Sequence, residues 1–233
     1  MRVLMPFSIC YIKVEINMNK KNILIIGSGE SGLGAAKLAH HLKYGIYVTS
    51  TSIINKEIRK QLIKLGAIIE EGVNTERYLQ FVDFIVKSPG VPSAIPLLNK
   101  ARKQSVKIIS EIEFASNHTN SDIIAITGTN GKTTTSSLLF HILKTAGFNV
   151  DLVGNIGTSF ASSVAENFFD YHIVETSSFQ LEDIRLFKPK VAILLNITED
   201  HLDRYDYSFQ NYINTKLKIQ MNQSDDDCFI YFS

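Results

Sequence analysis

Apolar and polar residues alternate along this chain in short blocks. Asn22 to Ile26 (NILII) is an apolar run stopped by glycines, which predicts a buried strand. An Ala- and Leu-rich segment over 32–43 has helical spacing, and the triplet Ile46-Tyr47-Val48 predicts a second strand. Lys56 to Leu65 reads as an amphipathic helix ended by Gly66. Apolar runs at 67–69, 84–86 and 106–109 predict three more strands, with a helix over 97–104 before the last. Such alternation is the signature of a parallel sheet with crossover helices. The polar stretch 116–122 (SNHTNSD) breaks the rhythm and predicts a linker. Beyond it come a strand at 123–126, a helix over 132–146, and strands at 172–174, 191–195 and 228–232. The expectation is two successive α/β domains, 19–117 and 118–233. The second reads as incomplete because no closing helix follows its last strand.

Composition narrows this little but excludes some classes. Over 233 residues, 45% are hydrophobic and 20% charged, the balance of an ordinary globular protein. A net charge of +1 gives no compositional support for nucleic-acid binding. Cys10 and Cys228 lie far apart and outside any CxxC spacing, which fits a reducing, cytoplasmic compartment and offers no sequence-evident zinc site. No stretch approaches the ~20 apolar residues needed to span a bilayer, so no membrane role is expected. Residues 1–18 stand apart. Arg2 and the apolar run after it resemble a signal peptide, but Lys13 and Glu15 interrupt the run and no small-residue cleavage site follows. The segment reads as a leader or extension, with Met18 as an alternative start.

Two glycine clusters change the picture. Gly27-x-Gly29-x-x-Gly32 follows the first strand and opens a helix, the context of a phosphate-binding turn in a Rossmann-like domain. A nicotinamide site would want an acidic residue at the end of the second strand, where this chain has Ser50 and Thr51. Their hydroxyls remain able to bond a nucleotide sugar or phosphate. Lys87 to Pro92 (KSPGVP) ends the fourth strand on the same sheet edge, and taken alone it is a rigid Pro-Gly turn.

Gly128-Thr129-Asn130-Gly131-Lys132-Thr133 follows a strand and opens a helix, as a P-loop does, although Ile126 stands where the usual first glycine would be. Backbone N–H groups and the helix dipole of such a turn cradle phosphate oxygens. Lys132 is placed for the β- and γ-phosphates, and the Thr133 hydroxyl for a Mg²⁺ shell. Further oxygen or nitrogen ligands are available at the ends of later strands: Glu175, then Glu199, Asp200, His201 and Asp203.

These pieces together resemble one family, the ATP-dependent Mur ligases of peptidoglycan synthesis. The motifs are TGTNGKTTT (Thr127 to Thr135), GNIG (Gly154 to Gly157), ETSSFQLE (Glu175 to Glu182), NITEDHLDRY (Asn196 to Tyr205) and YINTKLKI (Tyr212 to Ile219). A P-loop lacking its first glycine is normal in that family. The SSFQL run resembles its D-glutamate-adding branch. The resemblance implies that Gly128, Thr129, Asn130, Gly131, Lys132, Thr133 and Thr134 bind ATP phosphates. It implies Mg²⁺ at Thr133 and Glu175, with His201 at a second metal and Lys216 carbamylated by CO₂ to serve there as well. Catalytic duty falls on Lys132, Glu175, His201 and Lys216. Asn155, Ser177 and Gln180 would contact a muramoyl-alanine moiety. Gly29, Glu30, Ser31, Ser50, Ser88, Pro89 and Gly90 would line a uridine diphosphate site, with Ser50 standing where members often carry Asp.

The implied partners are UDP-N-acetylmuramoyl-L-alanine, D-glutamate and ATP, joined through an acyl phosphate by a monomer. A third, amino-acid-binding domain of the family is absent here, so the chain alone is expected to bind nucleotide without completing ligation. The competing readings are a nicotinamide oxidoreductase, a non-catalytic nucleotide-binding remnant, and a folylpolyglutamate-type ligase. The SSFQL run speaks against the last.

Overall fold

A computed structural model describes residues 20–232, so the leader and Cys10 lie outside the described residues. The chain builds β1 (Asn22–Ile26), α1 (Glu30–His41), β2 (Gly45–Ser50), α2 (Lys56–Lys64), β3 (Ile68–Glu71), β4 (Phe84–Lys87), α3 (Pro96–Lys103), β5 (Lys107–Ser110) and α4 (Glu111–Ser116). It then builds β6 (Asp122–Thr127), α5 (Lys132–Thr145), β7 (Val150–Gly154), α6 (Phe160–Glu166), β8 (Tyr171–Glu175), α7 (Ser178–Leu181), β9 (Val191–Leu194), α8 (Phe209–Leu217) and β10 (Cys228–Tyr231).

The strands form two wholly parallel five-stranded sheets, ordered β3-β2-β1-β4-β5 and β10-β9-β6-β8-β7. Strands covered on both faces must be apolar on both faces, which is why β1 reads as a continuous apolar run and not an alternating one. In β1, Ile23, Leu24 and Ile25 are fully buried. Each such side chain contributes about 1.5–3 kcal/mol relative to leaving it in water.

The two sheets share packing. One apolar cluster runs from Ile23 and Ile25 through α1, α4 and α6 to Val174 and Ile219. Gly34 of α1 faces Ser159 at the start of α6 so closely that a Cβ there would collide with the serine hydroxyl. Glu113 of α4 is fully buried and accepts the backbone N–H groups of Arg185, Leu186 and Phe187 at 3.0, 3.0 and 2.8 Å.

The expected linker is shorter than the polar stretch indicated. Ser116 closes α4 and Asp122 opens β6, which leaves 117–121 between the sheets. Helix α4 was not expected. It forms because Ser110 caps it, accepting from the Glu113 N–H, and because Glu111 and Glu113 sit at its electropositive start. Strand β7 was also missed: Asp151 interrupts its apolar run, and its carboxylate takes the Ser163 hydroxyl at 2.6 Å from α6.

Candidate functional site

In the first sheet the order reverses between β1 and its neighbours β2 and β4, and ligands of open α/β sheets sit at such a switch point. An open cleft of about 410 Å³ lies there. Gly29, Glu30, Ser31, Ser50, Ser88, Pro89 and Gly90 all border it, gathered from the ends of β1, β2 and β4. Gly29 caps α1 without a side-chain bond, so the first amides of that helix are left to a ligand. The Ser88 hydroxyl donates to the Gly27 carbonyl at 3.4 Å. Asn74 also borders the cleft, its Oδ1 held by the Thr49 hydroxyl at 2.9 Å. No local signal in the sequence marked Asn74, because it arrives from the loop after β3.

The second glycine loop leaves the central strand β6 and enters α5. Gly131 caps that helix at φ +82°, a left-handed conformation that suits glycine, and again no side chain caps it. Asn130, Gly131, Thr133 and Thr134 are exposed, so the turn is open to solvent. The loop is laced to the segment after β9. Thr129 N–H donates to the Asn196 carbonyl at 3.0 Å, Asn130 N–H to Asn196 Oδ1 at 2.9 Å, and Thr198 N–H to the Thr129 hydroxyl at 3.0 Å. Asn196 belongs to the NITED motif, yet its loop-bracing role needed the register of β6 beside β9.

Two ammonium groups converge on this loop. Lys132 Nζ donates to the carbonyls of Gly128 and Thr129 at 2.9 and 2.8 Å, and Lys216 Nζ donates to the same Gly128 carbonyl at 2.8 Å. Among the described residues neither lysine has a carboxylate within salt-bridge distance. Burial, and then the charge of Lys132, push the Lys216 amine down to about 8, with Asp200 opposing. A loop with uncapped helix amides and two amines free of salt bridges has the donors to hold an anion.

Glu175 ends β8 beside β6 and is fully buried. Its oxygens take Ser136 Oγ of α5 at 3.1 Å and Asn155 Nδ2 at 2.9 Å, so the GNIG and ETSS motifs meet at one carboxylate. Ser177 and Gln180 engage each other in a capping box at the start of α7, and Gln180 is 2% exposed. The Gln180 Oε1 accepts from the Ser177 N–H and hydroxyl, which leaves its Nε2 outside the turn. His201 holds a left-handed backbone at φ +52°, lies 3.5 Å from Asp200, and packs its ring 5.0 Å from Phe179. Among the described residues no three His, Cys, Asp or Glu side chains converge as a self-sufficient metal cluster. The oxygen donors Thr133 and Glu175 near an anion loop fit a Mg²⁺ ion that arrives with phosphate, since Mg²⁺ is commonly held by one or two protein oxygens plus phosphate oxygens.

A family model described as the Mur ligase middle domain matches residues 126–233, and one described as the Mur ligase MurD-like N-terminal domain matches residues 21–110. The chain belongs to the Mur ligase family. Among its relatives is the UDP-N-acetylmuramoylalanine--D-glutamate ligase of Bacteroides fragilis, 49% identical over 213 residues, which covers 91% of this chain and 48% of that protein. The enzyme of the same name from Porphyromonas gingivalis is 44% identical over 213 residues, covering 91% and 47%. The chain thus spans about half the length of the curated relatives it matches.

Solved Mur ligases share the fold. UDP-N-acetylmuramate:L-alanyl-gamma-D-glutamyl-meso-diaminopimelate ligase from Neisseria meningitides matches with a TM-score of 0.63 at 20% identity, over 91% of this chain and 71% of that one. UDP-N-acetylmuramate-alanine ligase MurC from Thermotoga maritima matches at 0.55 and 23%, over 91% and 49%. Among the described residues of this Mur ligase chain, no helix is long and apolar enough to cross a membrane.

Proposed function

We propose that this chain carries the two nucleotide sites of an ATP-dependent ligase that adds D-glutamate to UDP-N-acetylmuramoyl-L-alanine. Residues 19–117 form the UDP-substrate domain, 118–233 the ATP domain, and the work is done as a cytoplasmic monomer. The observation that carries the reading is the convergence of Lys132 and Lys216 on the Gly128 carbonyl, with no carboxylate within salt-bridge distance among the described residues. The Mur ligase models and the D-glutamate ligase relatives supply the substrate class.

The residues then divide the chemistry. A carboxylate resists attack by an amine because oxide is a poor leaving group. Transfer of the γ-phosphoryl group of ATP to the muramoyl-alanine carboxylate gives an acyl phosphate. The D-glutamate amine attacks its carbonyl, and phosphate leaves as the amide forms. Residues Gly128 to Thr134 wrap the phosphates, with the uncapped amides from Gly131 to Thr134 donating to them, and Lys132 turns from its own loop carbonyls to the γ-phosphate as negative charge shifts there. Thr133 and Glu175, with His201 at a second position, would hold Mg²⁺, which when bound neutralises phosphate charge. Asn155, already bonded to Glu175, borders the same carboxylate and is offered to the muramoyl-alanine portion together with Ser177 and Gln180. Gly29 to Ser31, Ser50 and Ser88 to Gly90 hold the uridine diphosphate.

Lys216 is suited to carbamylation. Its lowered pKa supplies neutral amine near physiological pH; the amine attacks CO₂, an N–C bond forms and a proton is released. The product is an anion, so the contact with Lys132 changes from repulsive to attractive.

Titration calorimetry with Mg·ATP tests the phosphate loop. Lys132→Ala is expected to weaken binding by roughly tenfold or more, since a charge-assisted hydrogen bond contributes about 1.5–3 kcal/mol. Unchanged affinity overturns the reading. A phosphate-release assay with D-glutamate and UDP-N-acetylmuramoyl-L-alanine, run on a form spanning the relatives' full length, tests the reaction.

A further inference from the structure

The turn Lys87 to Pro92 forms one lip of the cleft in the first sheet, yet its anchor lies in the second. The Lys87 side chain is fully buried. Its Nζ donates to Glu182 Oε2 and Ser93 Oγ, both at 2.9 Å, and to the Val91 carbonyl at 3.4 Å. Asp183 Oδ2 also lies 2.9 Å away, in ionic contact and outside hydrogen-bonding alignment.

Glu182 is met from the other side by Arg204. Nε donates to Oε1 at 2.7 Å and Nη2 to Oε2 at 2.9 Å, a two-pronged pair. The same Nη2 donates to the carbonyl of Val91, which borders the cleft, at 3.2 Å. Tyr205 donates its hydroxyl to Glu182 Oε1 at 3.3 Å, and Lys218 Nζ donates to the Glu182 carbonyl at 2.7 Å. Burial pushes the Glu182 carboxyl up, but the hydrogen bonds from Arg204 and the charge of Lys87 outweigh it and hold it below its ordinary value.

One residue, Glu182, therefore ties together three things, two through its carboxylate and the third through its backbone carbonyl. These are the cleft lip, the 3₁₀ turn Leu202–Tyr205 that follows His201, and the end of α8 two residues beyond Lys216. Around the buried Lys87 the salt-bridged charges pair off, Lys87 and Arg204 against Glu182 and Asp183, an arrangement intolerant of losing one member.

We infer that Glu182, with Lys87 and Arg204, is a positioning residue. It fixes the spacing between the uridine diphosphate cleft and the phosphate loop, so that a substrate anchored in one presents its carboxylate to the other. The inference rests on the proposed reading of the two sites. A ligand confined to the cleft does not need that spacing, whereas one that reaches across both sheets does.

The test compares UDP with UDP-N-acetylmuramoyl-L-alanine by calorimetry on this chain. The variants are Lys87→Met and the charge-balanced pair Lys87→Met/Asp183→Asn, the second guarding against misfolding from unpaired carboxylates. Wild type is expected to bind the longer ligand at least tenfold more tightly than UDP. The charge-balanced variant is expected to bind UDP within twofold of wild type while that ratio falls to threefold or less. A ratio that survives in the variant overturns the inference and leaves the ligase reading standing. So does an equal loss for both ligands, which marks a purely local structural role, and so does a wild-type ratio near one. If wild type binds neither ligand, the cleft assignment and the inference fall together.

Discussion

The two sheets are built alike and loaded differently. Each is five-stranded and parallel, and each sends a glycine turn from its central strand into a helix whose first amides are uncapped. Among the described residues, the cleft of the first sheet is bordered by one charged side chain, Glu30, and otherwise by hydroxyls, the Asn74 amide, glycines and apolar groups. The loop of the second carries the ammonium of Lys132, with Lys216, the amine proposed to become a carbamate, beside it. A diphosphate that is only held needs amides, hydroxyls and shape. A triphosphate that loses a phosphoryl group also needs fixed positive charge where negative charge moves. On the proposed reading, the same backbone device supports an anchoring site in one place and a reacting site in the other.

The strongest way to sharpen that contrast is pH. His172 lies near the start of β8, towards the other end of the strand from Glu175, 1% exposed, against the ring of Phe160 at 4.9 Å. Burial lowers its pKa from 6.5 to about 4, with Asp151 opposing. Once unfolded the imidazole takes up a proton below 6.5, while in the fold it stays neutral down to about 4. Stability from this group is therefore full above pH 6.5 and declines as pH falls towards 4, by up to about 3 kcal/mol. Urea midpoints measured across that range are expected to fall in wild type and to flatten in His172→Gln. Equal slopes would place the acid sensitivity elsewhere.

A smaller effect separates the two helix caps. Gly131 holds φ +82°, while Gly29 has φ −80° and open space where a Cβ would go. Gly131→Ala is expected to cost about 1 kcal/mol and Gly29→Ala a few tenths at most, read from thermal midpoints. Comparable losses would mean the caps are not distinguished by backbone conformation.

The mildest prediction concerns salt. Raising ionic strength from about 0.01 M to 0.15 M shortens screening from ~30 to ~8 Å. It is expected to weaken Mg·ATP binding several-fold more than UDP binding, in titrations on one preparation. Parallel salt slopes would erase the electrostatic difference between the sites.

Most of the scaffold was legible because its signals are local. Apolar runs such as Asn22–Ile26 and Val191–Leu194 mark strands whatever their neighbours, and Gly131 before Lys132 marks a turn into a helix. The elements overlooked are those that tertiary contacts stabilise. Helix α6 (FASSVAE) is rich in Ser and Ala and lacks a strong apolar stripe; it holds because Ser159 caps it and α1 packs closely across Gly34. Residue types at the candidate site were readable in the motifs, but their partners were not. Gln180 is marked by its motif, but that its Oε1 accepts from the Ser177 N–H and hydroxyl is visible only in the fold.

The chain's order of amino acids by itself determined two parallel α/β units, two glycine turns that open helices and the place of Lys132 in the second. These depend on spacing over a few residues. Only the tertiary structure decided that Lys87, readable as part of a stiff Pro-Gly turn, is buried against Glu182, 95 positions away. It likewise decided that Lys132 and Lys216 meet at one carbonyl, with Lys216 88 positions from Gly128. Charge pairing and desolvation depend on distances through space, and no local pattern along the chain encodes them.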